Sequence, residues 1–201
     1  MIIGVDFDNT IVCYDQLFHR VACEQGLIPA DLPTTKGAVC DYLRRNGHEA
    51  AWTAMQGSVY GARIGDAAPF PGVVDFFATC VRQGRPIVII SHKTRYPFLG
   101  PAYDLHQAAQ AWLERNGFYD LAKIGLGRQH VYFELTKAAK LARIASAGCT
   151  LFIDDLPEFL AEPDFPAHVE RLLFAPTQPT AAPLPFQHAT SWAELTRLVL
   201  R

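Results

Sequence analysis

The stretch "IIGVDFDNT", residues 2–10, decides how the rest of the sequence is interpreted. An apolar, β-branched run leads to Asp6, and a second carboxylate, Asp8, follows two positions later. A run of this kind predicts a buried strand of a parallel sheet, because such strands are apolar on both faces. Three interpretations of the two acids are open: a strand end in solvent, a metal site, or a nucleophile with its acid/base partner.

Further strands of the same kind recur along the chain, and helices separate them. The predicted strands cover residues 2–7, 85–91, 130–133 and 150–154, with 171–175 as a fifth. Segments with helical periodicity lie between them, over 72–84, 104–117 and 136–148. Strands that alternate with helices of this length predict right-handed βαβ units. The predicted fold class is therefore α/β, with a doubly wound, mainly parallel sheet.

One long interval, residues 14–70, interrupts this alternation. It contains helix-like segments and no convincing strand, and it is longer than a single crossover requires. We therefore expect an α/β core of residues 1–13 and 71–201, with a helical cap inserted at 14–70 after the first strand. Towards the C-terminus we expect a proline-rich surface segment over 176–185 and a short helix over 191–200.

Composition limits the classes of function. Half of the residues are hydrophobic and 19% are charged, which allows a substantial core. The formal net charge is -2 with no block of like charge, so we expect neither a nucleic-acid polymer nor a membrane as partner. The five cysteines include no CxxC pair and indicate neither a disulfide framework nor a zinc ribbon. A reduced, cytoplasmic protein is expected. The sequence does not indicate whether the protein is a monomer or an oligomer.

Polar residues stand where the predicted strands end. They are Asp6 and Asp8 after the first strand, Ser91 after the second, Lys137 or Lys140 in the helix after the third, and Asp154 and Asp155 after the fourth. Ligands bind at the carboxyl ends of parallel strands, so these side chains are expected to converge. Four carboxylates would repel one another unless a cation such as Mg²⁺ joined them. Lysine and serine could then hold phosphate oxygens, which suits phosphoryl transfer.

The same motifs resemble those of the haloacid dehalogenase-like hydrolases. "DFDNT" (6–10) resembles the DxDx(T/V) signature of that superfamily, and "IVIIS" (87–91) resembles its second motif. A lysine opening the helix at 136–148 is similar to the third motif, and "LFIDD" (151–155) is similar to the fourth. The helical insertion also resembles the superfamily's first cap class. The resemblance implies a Rossmann-like core and a cap that closes over the site and selects the leaving group.

The resemblance implies a role for each matching residue. Asp6 would attack phosphorus, and Asp8 would protonate the leaving oxygen and later deprotonate water. The side chains of Asp6 and Asp154, with the backbone carbonyl of Asp8, would hold Mg²⁺. Ser91 and the motif lysine would bind the transferring phosphoryl oxygens. Lys140 is preferred over Lys137 for that role, because a first-turn lysine can simply be solvated.

Other residues are expected to support this site or to bind substrate. Asp155 would complete the metal shell through water or orient a neighbour, and Thr10 and Asn9 would support the turn behind Asp8. Three cationic or cationisable side chains follow the second strand and could recognise a second anionic group of the substrate. They are His92, Lys93 and Arg95. For these three, exposed loop charge is an equally weighted alternative.

The function implied is hydrolysis of a small phosphorylated metabolite, such as a sugar phosphate or a nucleotide, through an aspartyl-phosphate. An acid at position 8 favours phosphate esters over haloacids, because expelling halide requires no proton donor. Two alternatives use a similar residue set. One is a non-hydrolytic, receiver-like phosphoacceptor domain, although receivers order their acids and lysine differently along the chain. The other is a phosphomutase or phosphotransferase using the same Asp6.

Overall fold

A computed structural model describes residues 1–176 and 186–200. Among these residues there are eight β-strands and eight α-helices. The strands are β1 (Ile3–Val5), β2 (Val12–Cys13), β3 (Ala68–Pro69), β4 (Ile87–His92), β5 (Val131–Glu134), β6 (Leu151–Asp154), β7 (Glu170–Phe174) and β8 (Gln187–Ala189). The helices are α1 (Asp15–Glu24), α2 (Lys36–Arg45), α3 (Glu49–Tyr60), α4 (Val73–Arg82), α5 (Leu105–Arg115), α6 (Lys137–Ser146), α7 (Pro157–Leu160) and α8 (Trp192–Val199). The proline-rich segment predicted over 176–185 lies, from residue 177 onward, outside the described residues.

Six of the described strands form one parallel sheet, in the order β5-β4-β1-β6-β7-β8. The central strand β1 pairs with β4 on one side and β6 on the other, so Ile3 lies beside both Ile87 and Leu151. Counted within this sheet alone, the order is 3-2-1-4-5-6, one of the two common doubly wound orders. The predicted α/β class with a mainly parallel sheet is confirmed.

Apolar side chains cover both faces of the sheet. On one face, Phe152 of β6 packs against Phe159 of α7, and Leu173 of β7 belongs to the same buried cluster. Neighbouring residues of a strand point to opposite faces. Accordingly, Phe174 turns to the other face and packs against Trp192 of α8, with ring centroids 5.6 Å apart. Helices therefore shield both faces, as a doubly wound sheet requires.

Gly4 in β1 allows the Phe152 ring to lie against the central strand. A Cβ at position 4 would lie 2.5 Å from Cδ2 of Phe152 and 2.9 Å from Sγ of Cys149. Neither distance is compatible with normal packing, so any larger residue would displace the ring. Gly4 thus fixes where Phe152 lies, two residues before the acid that ends β6.

The chain divides into two compact units. The first comprises Met1–Ile11, Pro69–Lys93 and Glu114–Arg201, and it carries the six-stranded sheet. The second comprises Val12–Ala68 and Thr94–Leu113. The sequence predicts that the last of these segments belongs to the α/β core, whereas its contacts group it with the inserted helices.

Contacts within the second unit explain this grouping. Gly57 of α3 lies so near Pro97 that a Cβ on the glycine would be 2.7 Å from Cβ of the proline. Trp112 of α5 donates its Nε1–H to the carbonyl of Ala67 at 2.9 Å. Both contacts join residues far apart in sequence, so local periodicity does not predict them.

Neither a disulfide nor a membrane-spanning helix occurs among the described residues. The five cysteines are free thiols, and two of them, Cys80 and Cys149, are buried. No described helix combines the length and the apolar character needed to cross a bilayer.

Candidate active site

The acids of the first and fourth motifs meet where the strand order changes direction. The chain runs outward from β1 through β4 to β5, and then returns to β6 on the other side of β1. The N–H of Asp6 donates to the carbonyl of Ile153 at 2.9 Å, which ties the ends of β1 and β6 together. Asp6, Asp154 and Asp155 each offer an oxygen within 4.8 Å of the others. Such a switch point is where open α/β sheets bind ligands.

Lys140 brings a positive charge between two of these acids. Its Nζ lies 2.6 Å from Oδ1 of Asp6 and 2.6 Å from Oδ2 of Asp154. All three side chains are almost completely buried. The ammonium also lies over aromatic faces, 4.1 Å from the ring centroid of Phe159 and 5.4 Å from that of Phe152. The lysine is thus held in one place by two carboxylates and two rings.

Lys137, the other lysine considered, lies elsewhere. Its side chain is 52% exposed, and its Nζ is 3.5 Å from Oε1 of Glu162. Helix α6 begins after Thr136, whose Oγ1 accepts a hydrogen bond from the N–H of Ala139. Lys137 therefore stands in the solvated first turn, and Lys140, one turn later, reaches the acids.

Burial dominates the electrostatics of this cluster. Loss of solvation raises the pKa of Asp6 from 3.8 to about 7; the charge of Lys140 opposes this shift and that of Asp154 adds to it. For Lys140, burial would lower the pKa, but the carboxylates of Asp154 and Asp6 outweigh it and raise the pKa above its ordinary value. The lysine therefore stays charged, and without a further cation Asp6 is only partly ionised near neutral pH.

A tight turn supports the acids from behind. Asn9 has φ 57°, a left-handed conformation that asparagine tolerates better than most residues. The N–H of Ile11 donates to the carbonyl of Phe7 at 3.0 Å and closes the turn. Thr10, fully buried, donates its hydroxyl to Oδ1 of Asp155 at 3.3 Å.

The carbonyl of Thr10 accepts the indole N–H of Trp192 at 3.0 Å. Thr10 therefore connects the turn to Asp155 on one side and to helix α8 on the other. The sequence predicts Asn9 and Thr10 as supports of the turn but gives no indication of the contact with Trp192.

The second motif contributes a buried hydroxyl and a second buried lysine. Ser91, near the end of β4, is 1% exposed. Lys93 is also buried, and its Nζ lies 2.9 Å and 2.8 Å from the two carboxylate oxygens of Asp8. His92 between them is exposed, and loss of part of its hydration lowers its pKa below 6.5. His92 is therefore mainly neutral at pH 7.

Arg95 belongs to the second unit. Its guanidinium is largely exposed and pairs with Asp104 at 3.1 Å. Asp104 also accepts the N–H of Gln107 at 2.9 Å, so it caps helix α5. Arg95 thus has an anionic partner within its own loop.

The pairing of Lys93 with Asp8 is the main feature of the site that the sequence does not predict. Lys93 is expected there in a substrate-binding or exposed loop, whereas the structure buries it against the second acid. One signal was available in the sequence. Lys93 stands two residues after Ser91 at the end of a strand, and strand alternation sends such residues to the same face.

The donor set fits a hard divalent cation. The oxygens of Asp6, Asp154 and Asp155 are close together, and carboxylates are the ligands that Mg²⁺ prefers. Together with Asp8 there are four carboxylates and two lysine ammonium groups. Two formal negative charges therefore remain, and one divalent cation would neutralise them. Lys140 engages one oxygen of Asp6 and one of Asp154. The second oxygen of Asp154 accepts the N–H of Leu156 at 2.9 Å and, like any carboxylate oxygen, has a further lone pair for a cation.

Comparison with known proteins identifies the fold. No protein-family model and no curated protein sequence matches the chain significantly. A HAD family hydrolase from Deinococcus radiodurans R1, solved with phosphate and sodium, is 16% identical over 99% of this chain and 95% of its own, with a TM-score of 0.61. A predicted phosphoglycolate phosphatase from Haemophilus somnus 129pt is 13% identical over 98% and 96%, with a TM-score of 0.55. A dehalogenase solved with an intermediate complex is 12% identical over 100% and 97%, with a TM-score of 0.57.

These structures match nearly the whole chain. The chain therefore has the α/β fold of the haloacid dehalogenase-like hydrolases, and the resemblance predicted from its motifs is confirmed at the level of the fold. Because phosphatases and dehalogenases both occur among the matches, the fold does not select between them. Any choice between these chemistries has to come from the side chains of the site.

The raised pKa of Asp6 predicts a pH-dependent stability in metal-free protein. The unfolded chain ionises Asp6 near pH 3.8 and the folded chain near pH 7, so the folded state binds more protons between these values. The free energy of unfolding should therefore fall as pH rises from 4 to 8, by about 2–4 kcal/mol from this group. Urea denaturation in EDTA at both pH values, for wild type and Asp6→Asn, measures it.

The quantity to compare is the difference between wild type and Asp6→Asn, since the titrating groups that do not interact with Asp6 cancel in it. Wild type should lose stability relative to the variant as pH rises. A difference that stays constant across this pH range would contradict the assignment of the shift to Asp6.

Proposed function

We propose that the protein is a Mg²⁺-dependent phosphomonoester hydrolase that acts on a small phosphorylated metabolite, such as a sugar phosphate or a nucleotide. The observation that carries this proposal is the buried bridge from Lys140 to both Asp6 and Asp154 at the strand-order switch. A second lysine pairs with Asp8. Groups of this kind suit a reaction in which negative charge must be positioned and neutralised.

In the first half-reaction Asp6 attacks phosphorus and forms an aspartyl-phosphate. Lys140 holds the Asp6 carboxylate through one oxygen, which restrains its rotation for in-line attack. The ammonium group of Lys140 and the hydroxyl of Ser91 bind phosphoryl oxygens as charge redistributes. Asp6, Asp154 and the carbonyl of Asp8 would hold Mg²⁺, which would neutralise part of the negative charge of the phosphoryl group.

Asp8 acts as the general acid in the first half-reaction and as the general base in the second. It donates a proton to the leaving oxygen as the ester bond breaks, and then accepts one from the water that hydrolyses the aspartyl-phosphate. Its side chain is 21% exposed, whereas Asp6 and Asp154 are almost fully buried. An acid/base group needs this access, because it must reach both leaving group and water.

Two features weigh against the alternatives. A dehalogenase expels halide and requires no proton donor, so a partly exposed acid at position 8 favours phosphate esters. A receiver-like phosphoacceptor is disfavoured by topology, since receiver domains have the sheet order 2-1-3-4-5 and this sheet has 3-2-1-4-5-6. A phosphotransferase would use the same Asp6 but pass the phosphoryl group to a second hydroxyl, and a labelled substrate distinguishes this from hydrolysis.

The proposal predicts phosphate release from at least one ester in a panel of sugar phosphates, nucleoside monophosphates and p-nitrophenyl phosphate. Removing Mg²⁺ with EDTA should lower the rate at least about 10²-fold, and added Mg²⁺ should restore it, because the carboxylates otherwise repel the phosphate. Asp6→Asn, purified in parallel, controls for contaminating phosphatases.

Other outcomes would replace the proposal with a specific alternative. Chloride release from 2-haloacids, without phosphate release from any ester, would identify a dehalogenase. A phospho-aspartate that accumulates without turnover would identify a phosphoacceptor. Label that moves to a second hydroxyl instead of to water would identify a phosphotransferase.

A further inference from the structure

Strand alternation brings Lys93 into the site. Ser91 and Lys93 are both buried, and His92 between them is exposed. The N–H of Lys93 donates to the carbonyl of Glu134 at 2.8 Å, so hydrogen bonding to β5 continues through this residue. The sheet itself therefore holds the backbone of Lys93.

The ammonium group of Lys93 is directed at Asp8. Its distances of 2.9 Å to Oδ1 and 2.8 Å to Oδ2 engage both carboxylate oxygens at once. The Nζ also lies 5.5 Å from the ring centroid of Phe7, which forms an apolar wall beside it. A buried ammonium requires such a partner, because an unpaired buried charge is strongly unfavourable.

The two members of this pair differ in exposure. The side chain of Lys93 is 2% exposed and that of Asp8 is 21% exposed. A substrate can therefore approach Asp8 on its open side while Lys93 stays covered. Because its ammonium group engages both oxygens of Asp8, the geometry favours a lysine that acts through Asp8.

Lys140 has other partners. It is hydrogen-bonded to Asp6 and Asp154 at 2.6 Å each. The two buried lysines thus serve different acids, one the proposed nucleophile and the other the proposed acid/base group.

We propose that Lys93 is a positioning residue for Asp8, an inference that rests on the proposed function. As the bond from Asp6 to phosphorus forms, the ester P–O bond breaks, its electron pair goes to the leaving oxygen, and that oxygen takes the proton from Asp8. One Asp8 oxygen carries the proton before transfer, and the other remains hydrogen-bonded to Lys93. The carboxyl group therefore keeps its orientation throughout.

The kinetic test compares wild type with Lys93→Met on p-nitrophenyl, phenyl and ethyl phosphate. The ratio kcat/KM covers the steps up to departure of the leaving group. For Lys93→Met it should fall about 10²-fold with ethyl phosphate but less than about 5-fold with p-nitrophenyl phosphate, because nitrophenolate leaves without a proton. A lysine that binds substrate would instead lower kcat/KM equally for all three esters, mainly through KM.

A second kinetic test compares Asp8→Asn with the double variant that also carries Lys93→Met. If Lys93 acts through Asp8, adding Lys93→Met to Asp8→Asn produces no further change in leaving-group dependence. A further loss that depends on the leaving group overturns the inference. Lys123→Met, which replaces an exposed lysine outside the site, should leave all three kcat/KM values unchanged.

Crystal structures of wild type and Lys93→Met test the positioning without turnover. Because the side chain of Asp8 is 21% exposed, water can replace the lysine as its hydrogen-bond partner, and the variant should fold. Asp8 should then occupy more than one rotamer, and a single unchanged orientation overturns the role of Lys93 while leaving the proposed function intact. Failure of wild type to hydrolyse any ester, in this series or in the panel of sugar phosphates and nucleoside monophosphates, overturns the proposed function, and this inference with it.

Discussion

Replacing Asp6 with asparagine is expected to lower phosphate release by at least about 10⁴-fold, the scale of effect seen when a covalent nucleophile is removed. The amide has nearly the same shape as the carboxylate but cannot attack phosphorus. Initial rates with p-nitrophenyl phosphate and Mg²⁺ measure the loss. Acid-quenched samples of wild type with a labelled ester should contain a phospho-aspartate that the variant lacks.

The loss should not reflect unfolding. Burial disfavours the ionised form of Asp6, so the neutral amide should make the metal-free variant at least as stable as wild type at pH 8. Asp41→Asn, at an exposed position on α2, is the matched control and should retain full activity. If Asp6→Asn kept more than about a tenth of the wild-type rate, another group would have to be the nucleophile.

The buried strands were the most predictable part of the fold. Strands such as β4 and β6 are covered on both faces, so their sequences are almost uninterrupted apolar runs that end in polar residues. The helix predicted over 136–148 was equally predictable, because the cap at Thr136 is a local hydrogen bond. Both predictions depend on interactions within a few residues of the chain or on burial alone.

Features that depend on distant contacts were not predictable in the same way. Strand β8 has only three residues, two of them the exposed Gln187 and His188, so it gives no apolar run. The grouping of residues 94–113 with the inserted helices rests on contacts such as that of Trp112 with Ala67. Local periodicity carries no information about such partners.

The two lysines of α6 illustrate the limit for the site. Lys137 and Lys140 are three residues apart and therefore neighbours on the helix surface, so spacing alone favoured neither strongly. The structure separates them by depth, since Lys137 is half exposed beside Glu162 and Lys140 is buried between two acids. Depth is set by how α6 packs on the sheet, which is a tertiary property.

Replacing Lys140 with methionine should therefore cost far more stability than replacing Lys137. In EDTA at pH 8, Lys140→Met leaves Asp6 and Asp154 buried without their cation, and the free energy of unfolding should fall by about 3–5 kcal/mol. Lys137→Met removes only an exposed pair at 3.5 Å and should cost less than about 1 kcal/mol. Urea denaturation of both variants measures the difference.

A double variant decides whether unpaired charge is the cause. Adding Asp6→Asn to Lys140→Met removes one of the two buried acids that lose their cation, so stability at pH 8 should recover by more than about 1 kcal/mol. Mg²⁺ should also stabilise Lys140→Met more than it stabilises wild type, since the ion supplies the positive charge that the lysine provided. If neither change restored stability, the loss would have to come from the contacts of Lys140 with the rings of Phe159 and Phe152, and not from its pairing with the two acids.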